Sequence, residues 1–221
     1  MNQNFKTINR RTFLQTTAVT AVGTGTFGLL PLSGFCNSYI DDENIHILGP
    51  VKGYSPHIGI FVSMLNWMRN TIIQSTKNLT QPELDFLIDP KGNTMGALLL
   101  HLAGIEVVYQ DRTFYNLKTL SEPNKQKWSA AIDLGDAGRN TIKGNNIDYY
   151  HTALKEVREL TVSELKKRDD KWFALVDPNG FGKKPTNNFC KWFHVCEHEA
   201  NHRGQIAMIK KRLPGKDAGN D

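Results

Sequence analysis

The chain has 221 residues and a formal net charge of +5. Residues 1–38 carry three basic residues and no acidic one, so the remaining 183 residues, with 24 basic and 22 acidic side chains, have a net charge of only +2. That length suits one domain with a sizeable core. The small residual charge, without a stripe of basic and aromatic residues, argues against a nucleic-acid partner.

The N-terminal segment has the composition of an export signal. Lys6, Arg10 and Arg11 supply positive charge, and an uncharged, mildly apolar run follows over residues 16–30. Paired arginines ahead of such a run are typical of the twin-arginine route. We therefore predict that residues 1–38 form a twin-arginine-type signal segment and that the protein is exported to a periplasmic or extracellular location.

Two other interpretations of this segment are weaker. The uncharged stretch over residues 12–40 is long enough to span a bilayer, but its many Thr and Gly residues make it a poor span. Cys36 is a poor candidate for lipid attachment because the bulky Phe35 precedes it. We expect membrane contact only through this segment, and only if it is not cleaved.

The rest of the chain predicts four long helices. Ser55 and Pro56 are good helix-start residues, and apolar side chains then recur at helical spacing. We expect long helices over residues 55–77, 93–114, 148–168 and 186–212. Asn93 is the expected cap of the second helix, and the third has a second start signal at Thr161. The pattern favours an all-α fold, a four-helix bundle.

Shorter features separate the long helices. Thr80 and Glu83 form a capping box for a short helix. Residues 117–146 are expected to form a loop with short helical pieces, and residues 177–182 a turn. We place a linker over residues 39–54, the helical bundle over residues 55–213 and a tail over residues 214–221.

Three histidines recur at every fourth position of the last helix: His194, His198 and His202. Their rings lie in one stripe roughly 80° wide, and imidazole is the commonest metal ligand near neutral pH. His194 and His202 are about 12 Å apart along the helix axis, too far to share one ion easily. Either neighbouring pair, His194 with His198 or His198 with His202, can therefore bind a metal together with a third ligand from elsewhere. The alternative is that the stripe is only a solvated polar face of the helix.

A third ligand is available on the second long helix. His101 lies among small and apolar residues, so it points inward. An inward histidine in isolation is usually a hydrogen-bonded core residue, but in a bundle it can face a histidine stripe on another helix. The other histidines are expected at the surface or at helix caps: His46, His57 and His151.

The cysteines predict no disulfide bond. Cys36 is lost if the signal is cleaved, and Cys190 and Cys196 are about 9 Å apart along one helix, beyond disulfide reach. We expect both to be small core residues.

Two segments together resemble the DinB/YfiT-like family of metalloenzymes. They are residues 98–106, which contain His101, and residues 198–206, which contain the ending His-x-x-x-His-Arg-Gly-Gln. The resemblance covers most of residues 55–213 and the order of the helices. It implies a DinB-like four-helix bundle with a divalent metal held by His101, His198 and His202. His194 would then orient a ligand or serve in packing.

The same resemblance implies a metal-dependent enzyme with a small-molecule substrate and a reaction of hydrolase or transferase type. Some relatives transfer small thiols, but such thiols are chiefly cytoplasmic, which weighs against that role in an exported member. Neutral imidazoles suit Zn, Ni, Fe and Cu alike, and we expect Zn, Ni or Fe. The sequence leaves monomer and homodimer both open.

Carboxylates near these histidines have several candidate roles. Glu106, Glu197 and Glu199 could orient a ligand histidine or act as a base, and they could equally be surface residues. Arg203 and Gln205 are expected to make structural hydrogen bonds.

A rival motif overlaps the histidine stripe. His198-Glu199-Ala200-Asn201-His202 fits the His-Glu-x-x-His motif of zinc metalloproteases, in which the glutamate is the general base. Gln205 stands where the longer metzincin form requires Gly, so we rank a protease-like hydrolase second. A metal-binding or purely structural bundle without catalysis is the third interpretation.

Overall fold

The computed structural model describes residues 44–215. The signal segment, the start of the linker and most of the tail lie outside the described residues. Eight α-helices occur in the described part of the chain. They are α1 (Pro56–Thr76), α2 (Gln81–Leu84), α3 (Met95–Thr113), α4 (Glu122–Asp133), α5 (Gly135–Thr141), α6 (Ile147–Leu165), α7 (Asp170–Ala174) and α8 (Asn188–Lys210).

The four long helices α1, α3, α6 and α8 pack together as a bundle, which confirms the predicted all-α fold. Helix α3 contacts α4, α6 and α8, while α1 lies against α6 and α8. Apolar side chains at helical spacing fill the interior, among them Leu65, Leu98, Leu154 and Ile206. The bundle arises because each long helix buries an apolar stripe that a single helix cannot cover.

A small hairpin interrupts the helical pattern before α8. Strands β1 (Val176–Asp177) and β2 (Thr186–Asn187) are antiparallel, and a 3₁₀ turn over Phe181–Lys183 lies between them. Gly182 has φ of +58°, a backbone conformation that favours glycine. The sequence predicted this segment only as a turn, because two-residue strands leave no alternating pattern.

Several helix boundaries differ from the predicted ones. Thr94, rather than Asn93, caps α3, and its hydroxyl oxygen accepts a hydrogen bond from Ala97 N at 3.0 Å. Helix α6 continues through Thr161, whose buried hydroxyl donates to the Val157 carbonyl at 3.2 Å. The expected second start at Thr161 is therefore wrong, because its side chain bonds within the helix.

Other differences lie on either side of α6. Residues 117–146, predicted as a loop with short helical pieces, contain the helices α4 and α5, which are separated only by Leu134. The last helix starts at Asn188 rather than at Thr186, since Thr186 belongs to β2 and Asn187 caps the helix. Within residues 44–215, no helix is both long and apolar enough to cross a lipid bilayer.

The first helix has an unexpected cap. Ser55 occupies the predicted cap position, but its hydroxyl donates to the carboxylate of Asp170 at 2.6 Å. The same carboxylate accepts hydrogen bonds from the backbone nitrogens of His57 and Ile58. The start of α1 is thus capped by a residue of α7, which joins these two helices.

Candidate metal centre

The structure brings His101, His198 and His202 together between α3 and α8. The Nε2 atom of His198 lies 2.9 Å from His101 Nε2 and 3.0 Å from His202 Nε2. One ligand atom from each ring lies within 4.8 Å of the others. His101 and His202 are each 6% exposed, while His198 is partly exposed. Three converging nitrogens of this kind can hold one divalent metal ion.

The other ring nitrogens of two histidines are already engaged. His101 Nδ1 lies 2.8 Å from the Ala131 carbonyl oxygen, and His202 Nδ1 lies 2.9 Å from Oε1 of Gln205. Both oxygens are acceptors, so each Nδ1 carries the proton and donates it. In each neutral ring the Nε2 lone pair is then free. This tautomer is the one that can bind a metal through Nε2.

A close approach of α4 to α3 supplies the carbonyl of Ala131. Gly104 makes this approach feasible, because a Cβ atom there would lie 3.0 Å from Cγ1 of Ile132 and 3.7 Å from Cβ of Ala131. The first distance is tighter than ordinary van der Waals contact. The absent side chain of Gly104 therefore helps to fix the orientation of His101.

The electrostatics keep the three rings neutral. Burial, followed by the neighbouring rings of His202, His101 and His194, lowers the pKa of His198 to about 3. Burial also lowers the pKa values of His101 and His202. Neutral imidazole is the form that coordinates a metal, so no proton has to be displaced near pH 7.

Aromatic rings flank the histidines on one side. The ring of His194 lies 5.3 Å from His198 and 5.8 Å from Tyr109, measured between centroids. Phe181, at the start of the 3₁₀ turn, lies 5.7 Å from His194. Burial raises the pKa of Tyr109 to about 12, so it remains a neutral phenol.

Residues 60–215 match the sequence profile of the family described as Mycothiol-S-transferase. The chain belongs to this mycothiol-S-transferase family. Since this is a DinB/YfiT-like family, the resemblance inferred from the histidine segments is confirmed.

Structural comparison supports the same fold. A solved structure of a conserved protein from Enterococcus faecalis superimposes with a TM-score of 0.56 at 16% sequence identity, covering 71% of this chain and 96% of that chain. At such low identity the likeness shows the fold alone. No curated protein matches the chain.

Two carboxylates of this mycothiol-S-transferase family member lie where the sequence did not place them. Glu106 and Glu199 are buried at the centre of the bundle, where Arg69 and Arg158 bind both of them. Burial alone would raise the pKa of Glu106, but the charges of Arg158 and Arg69 outweigh it and lower the pKa to about 2. They are therefore not surface residues, and their carboxylates bind the two arginines rather than the three histidines.

Glu197 is exposed and its carboxylate lies 3.0 Å from Nδ1 of His194. This contact holds His194 beside the three converging rings without joining it to them. Gln205 contacts His202 as described above, whereas Arg203 donates to the hydroxyl of Thr71 at 3.2 Å. The structural hydrogen bonds expected of Arg203 and Gln205 are thus both present.

The remaining histidines lie apart from this centre. His57 is exposed and contacts Asp170, His46 Nδ1 accepts from Trp67 at 3.3 Å, and half-buried His151 contacts the hydroxyl of Thr76.

The two described cysteines differ in their surroundings. Cys196 is buried as predicted, and burial raises its pKa to about 11. Cys190 is exposed, so its placement in the core was wrong. It lies in the first turn of α8, just after the cap at Asn187, where the helix surface faces solvent.

Proposed function

We propose that the protein is an exported, metal-dependent enzyme of transferase type that acts on a small-molecule substrate. His101, His198 and His202 are the proposed metal ligands, and the metal is Zn, Ni or Fe. The observation that carries this proposal is the convergence of three Nε2 atoms, two of them on rings whose Nδ1 already donates a hydrogen bond.

The residues present fit a divalent ion. Three neutral imidazoles form a typical catalytic donor set, because they leave coordination positions for water or substrate. An ion in this set would act as a Lewis acid that favours the deprotonated form of a bound thiol or water. The chain itself contributes fixed ring orientations through Ala131 and Gln205, together with a neutral phenol at Tyr109 nearby.

Family membership favours thiol transfer over hydrolysis. In such a transfer a sulfur–carbon bond forms while the bond from that carbon to the leaving group breaks, and the thiol proton passes to solvent. The predicted export separates the enzyme from cytoplasmic thiols, so the natural thiol would have to be one present outside the cytoplasm. Hydrolysis by an activated water is the alternative that uses the same three ligands.

The protease-like alternative is disfavoured by Glu199. In the His-Glu-x-x-His mechanism the glutamate acts as a general base at the metal. Here the side chain of Glu199 is 1% exposed and is bound by Arg69 and Arg158. Its carboxylate is thus engaged by two guanidinium groups at the bundle centre and does not contact the three converging histidines.

Metal analysis of the purified full chain tests the proposed centre. We expect about one divalent ion per chain by elemental mass spectrometry. His101→Ala and His198→Ala should each lose most of it. His194→Ala is the matched control, since His194 shares the helix face but not the three converging nitrogens. Equal loss in His198→Ala and His194→Ala would contradict the assignment, and absence of metal in a folded chain would favour a structural bundle.

A thiol-transfer assay tests the reaction class. The metal-loaded chain is incubated with mycothiol or cysteine and monochlorobimane, and the fluorescent thioether is measured. We expect turnover in the wild type and in His194→Ala, but none in His198→Ala. A fully loaded protein without turnover would contradict the transferase proposal and would move the search to hydrolysable substrates.

Export is tested separately from catalysis. Replacing Arg10 and Arg11 together with Lys should retain the protein in the cytoplasm, because the twin-arginine route reads the arginine pair. Cell fractionation followed by immunoblotting measures this. A double variant that is still exported would contradict the predicted route.

A further inference from the structure

A cavity lies where the starts of α1 and α8 meet α7. Its volume is about 370 Å³, within the range of small-molecule sites. Most of its lining is apolar, and its polar lining residues are His57, Asp170 and Asn187. None of the three proposed metal ligands lines this cavity, and Phe189 in its wall precedes His198 by nine residues, about 13 Å of helix.

Three phenylalanine rings form much of the wall. The centroid of Phe173 lies 5.4 Å from Phe61 and 4.9 Å from Phe189, and Phe61 and Phe189 are 5.9 Å apart in an edge-to-face arrangement. These distances are those at which aromatic rings attract one another. Phe189 is 46% exposed, so its ring is accessible at the edge of the cavity. A planar aromatic molecule can extend this cluster.

The polar side of the cavity carries an oriented histidine. His57 Nδ1 lies 2.9 Å from Oδ2 of Asp170, and the side chain of His57 is 77% exposed. Because the carboxylate only accepts, Nδ1 carries the proton and donates it, so in the neutral ring Nε2 is an acceptor. Asp170 is itself held by the Ser55 hydroxyl and by two backbone nitrogens.

This arrangement differs from a nucleophilic triad. The Ser55 hydroxyl donates to Asp170 and not to His57, so no base is placed to activate the serine. The pair His57–Asp170 is instead suited to accept a hydrogen bond from a ligand. The negative charge of Asp170 disfavours an anionic group at the same place, which favours a donor such as a hydroxyl over a carboxylate.

We propose that this cavity binds a small hydroxylated aromatic molecule, with its ring against Phe61, Phe173 and Phe189 and its hydroxyl on Nε2 of His57. The site is separate from the proposed metal centre. It needs neither the metal nor the proposed transferase reaction.

The test measures equilibrium binding of 2-naphthol to the full-length chain through the change in 2-naphthol fluorescence. We expect 2-naphthol to bind saturably. 2-Methylnaphthalene, which lacks the hydroxyl, should bind about fivefold less tightly because one hydrogen bond is lost. The anionic 2-naphthoate should bind more weakly than 2-naphthol. In His57→Ala the preference for the hydroxyl over the methyl group should disappear.

Phe189→Ala and Phe193→Ala form a matched pair on α8. Both rings are about half exposed, but only Phe189 lines the cavity. We expect Phe189→Ala to weaken 2-naphthol binding about tenfold, and Phe193→Ala to leave it unchanged. His198→Ala should also leave it unchanged.

Four results would overturn the proposal: no saturable binding, equal effects of the two phenylalanine variants, a hydroxyl preference that survives in His57→Ala, or loss of binding in His198→Ala. The last result would place the probe at the histidine centre instead.

Discussion

Glu199 follows His198 directly in the chain, yet the two side chains belong to different sites. His198 Nε2 faces His101 and His202, whereas the Glu199 carboxylate turns to the bundle centre, where Arg158 donates to it at 2.6 Å. Neighbouring helical residues point about 100° apart, so one turn of α8 contributes both to the candidate metal centre and to an ion-pair cluster formed by Arg69, Glu106, Arg158 and Glu199. The ion pairs of Glu199 thereby help to fix the rotation of α8 and, with it, the direction in which His198 points.

The ion-pair cluster joins all four long helices. Arg69 lies on α1, Glu106 on α3, Arg158 on α6 and Glu199 on α8, and each is at most 2% exposed. Two positive and two negative charges balance, which is a condition for burying them. The arginines also donate to the carbonyls of Leu154 and Leu65.

Glu106→Gln should destabilise the fold by about 3–5 kcal/mol, because it leaves a buried guanidinium without its counter-charge. Arg69 donates to Glu106 at 2.8 Å, and Arg158 does so at 2.8 and 3.0 Å. Urea unfolding measures the effect. Glu122→Gln is the control, since the side chain of Glu122 is 76% exposed, and it should change stability by less than about 0.5 kcal/mol. Similar effects of both variants would contradict the role of the cluster.

The cap at the start of α1 predicts a pH-dependent contribution to stability. Burial alone would raise the pKa of Asp170, but hydrogen bonds from Ser55, His57 and Ile58 outweigh it and lower the pKa to about 2. The folded-state pKa lies below that of an unfolded Asp, about 3.9. The contribution of the Asp170 carboxylate to the free energy of unfolding is therefore fully present above about pH 5 and is lost as the pH falls toward 2.

Asp170→Ala should accordingly lower the free energy of unfolding by about 1–2 kcal/mol at pH 7. The difference between wild type and variant should shrink as the pH is lowered from 4 toward 2, as measured by denaturant titrations at each pH. A constant difference over that interval would show that the carboxylate charge is not what stabilises the cap.

Gly104→Val should weaken metal binding without touching a ligand. The added side chain pushes Ile132 and α4 away, and His101 then loses the Ala131 carbonyl that orients it. Loss of such a partner typically costs 10–100-fold in metal affinity. Competition with a zinc chelator measures it. Gly204→Val is the matched control, because a Cβ atom added at Gly204 on α8 would meet nothing within 4 Å. Equal affinities of the two variants would refute the role of Gly104.

Gln205→Ala should also reduce metal affinity about tenfold or more, since Nδ1 of His202 loses its acceptor. The corresponding variant beside His194, which is not among the proposed ligands, is Glu197→Ala, which removes the hydrogen-bond partner of His194. We expect it to leave the affinity unchanged in the same competition experiment. A larger loss from Glu197→Ala than from Gln205→Ala would indicate that His194 belongs to the ligand set.

Much of the fold could be predicted because apolar periodicity marks the long helices. The start of α1 at Pro56 agrees with the predicted start to within a residue. Asn93 and Thr94 are both good cap residues, so periodicity alone does not choose between them. Helix α4 was predicted only as a short helical piece within a loop, because its sequence is polar and its apolar contacts depend on the neighbouring α3.

The buried charges leave a signal in the sequence of each helix. Arg69, Glu106, Arg158 and Glu199 each lie in phase with the apolar stripe of their helix, as Arg69 does between Leu65 and Ile72. A charged residue in that phase predicts a buried partner. Which partner it meets depends on the packing of separate helices, and the sequence of one helix does not contain that information.

The hydrogen bond from His101 to Ala131 ends on a main-chain atom. Every amino acid has a carbonyl, so substitutions at position 131 can accumulate while the bond persists, provided that the new side chain is small enough for the interface. Selection for the orientation of His101 would act on the size of residue 104 instead. Across related sequences, we therefore expect this contact to be reflected in a small residue at position 104, which takes no part in the hydrogen bond itself.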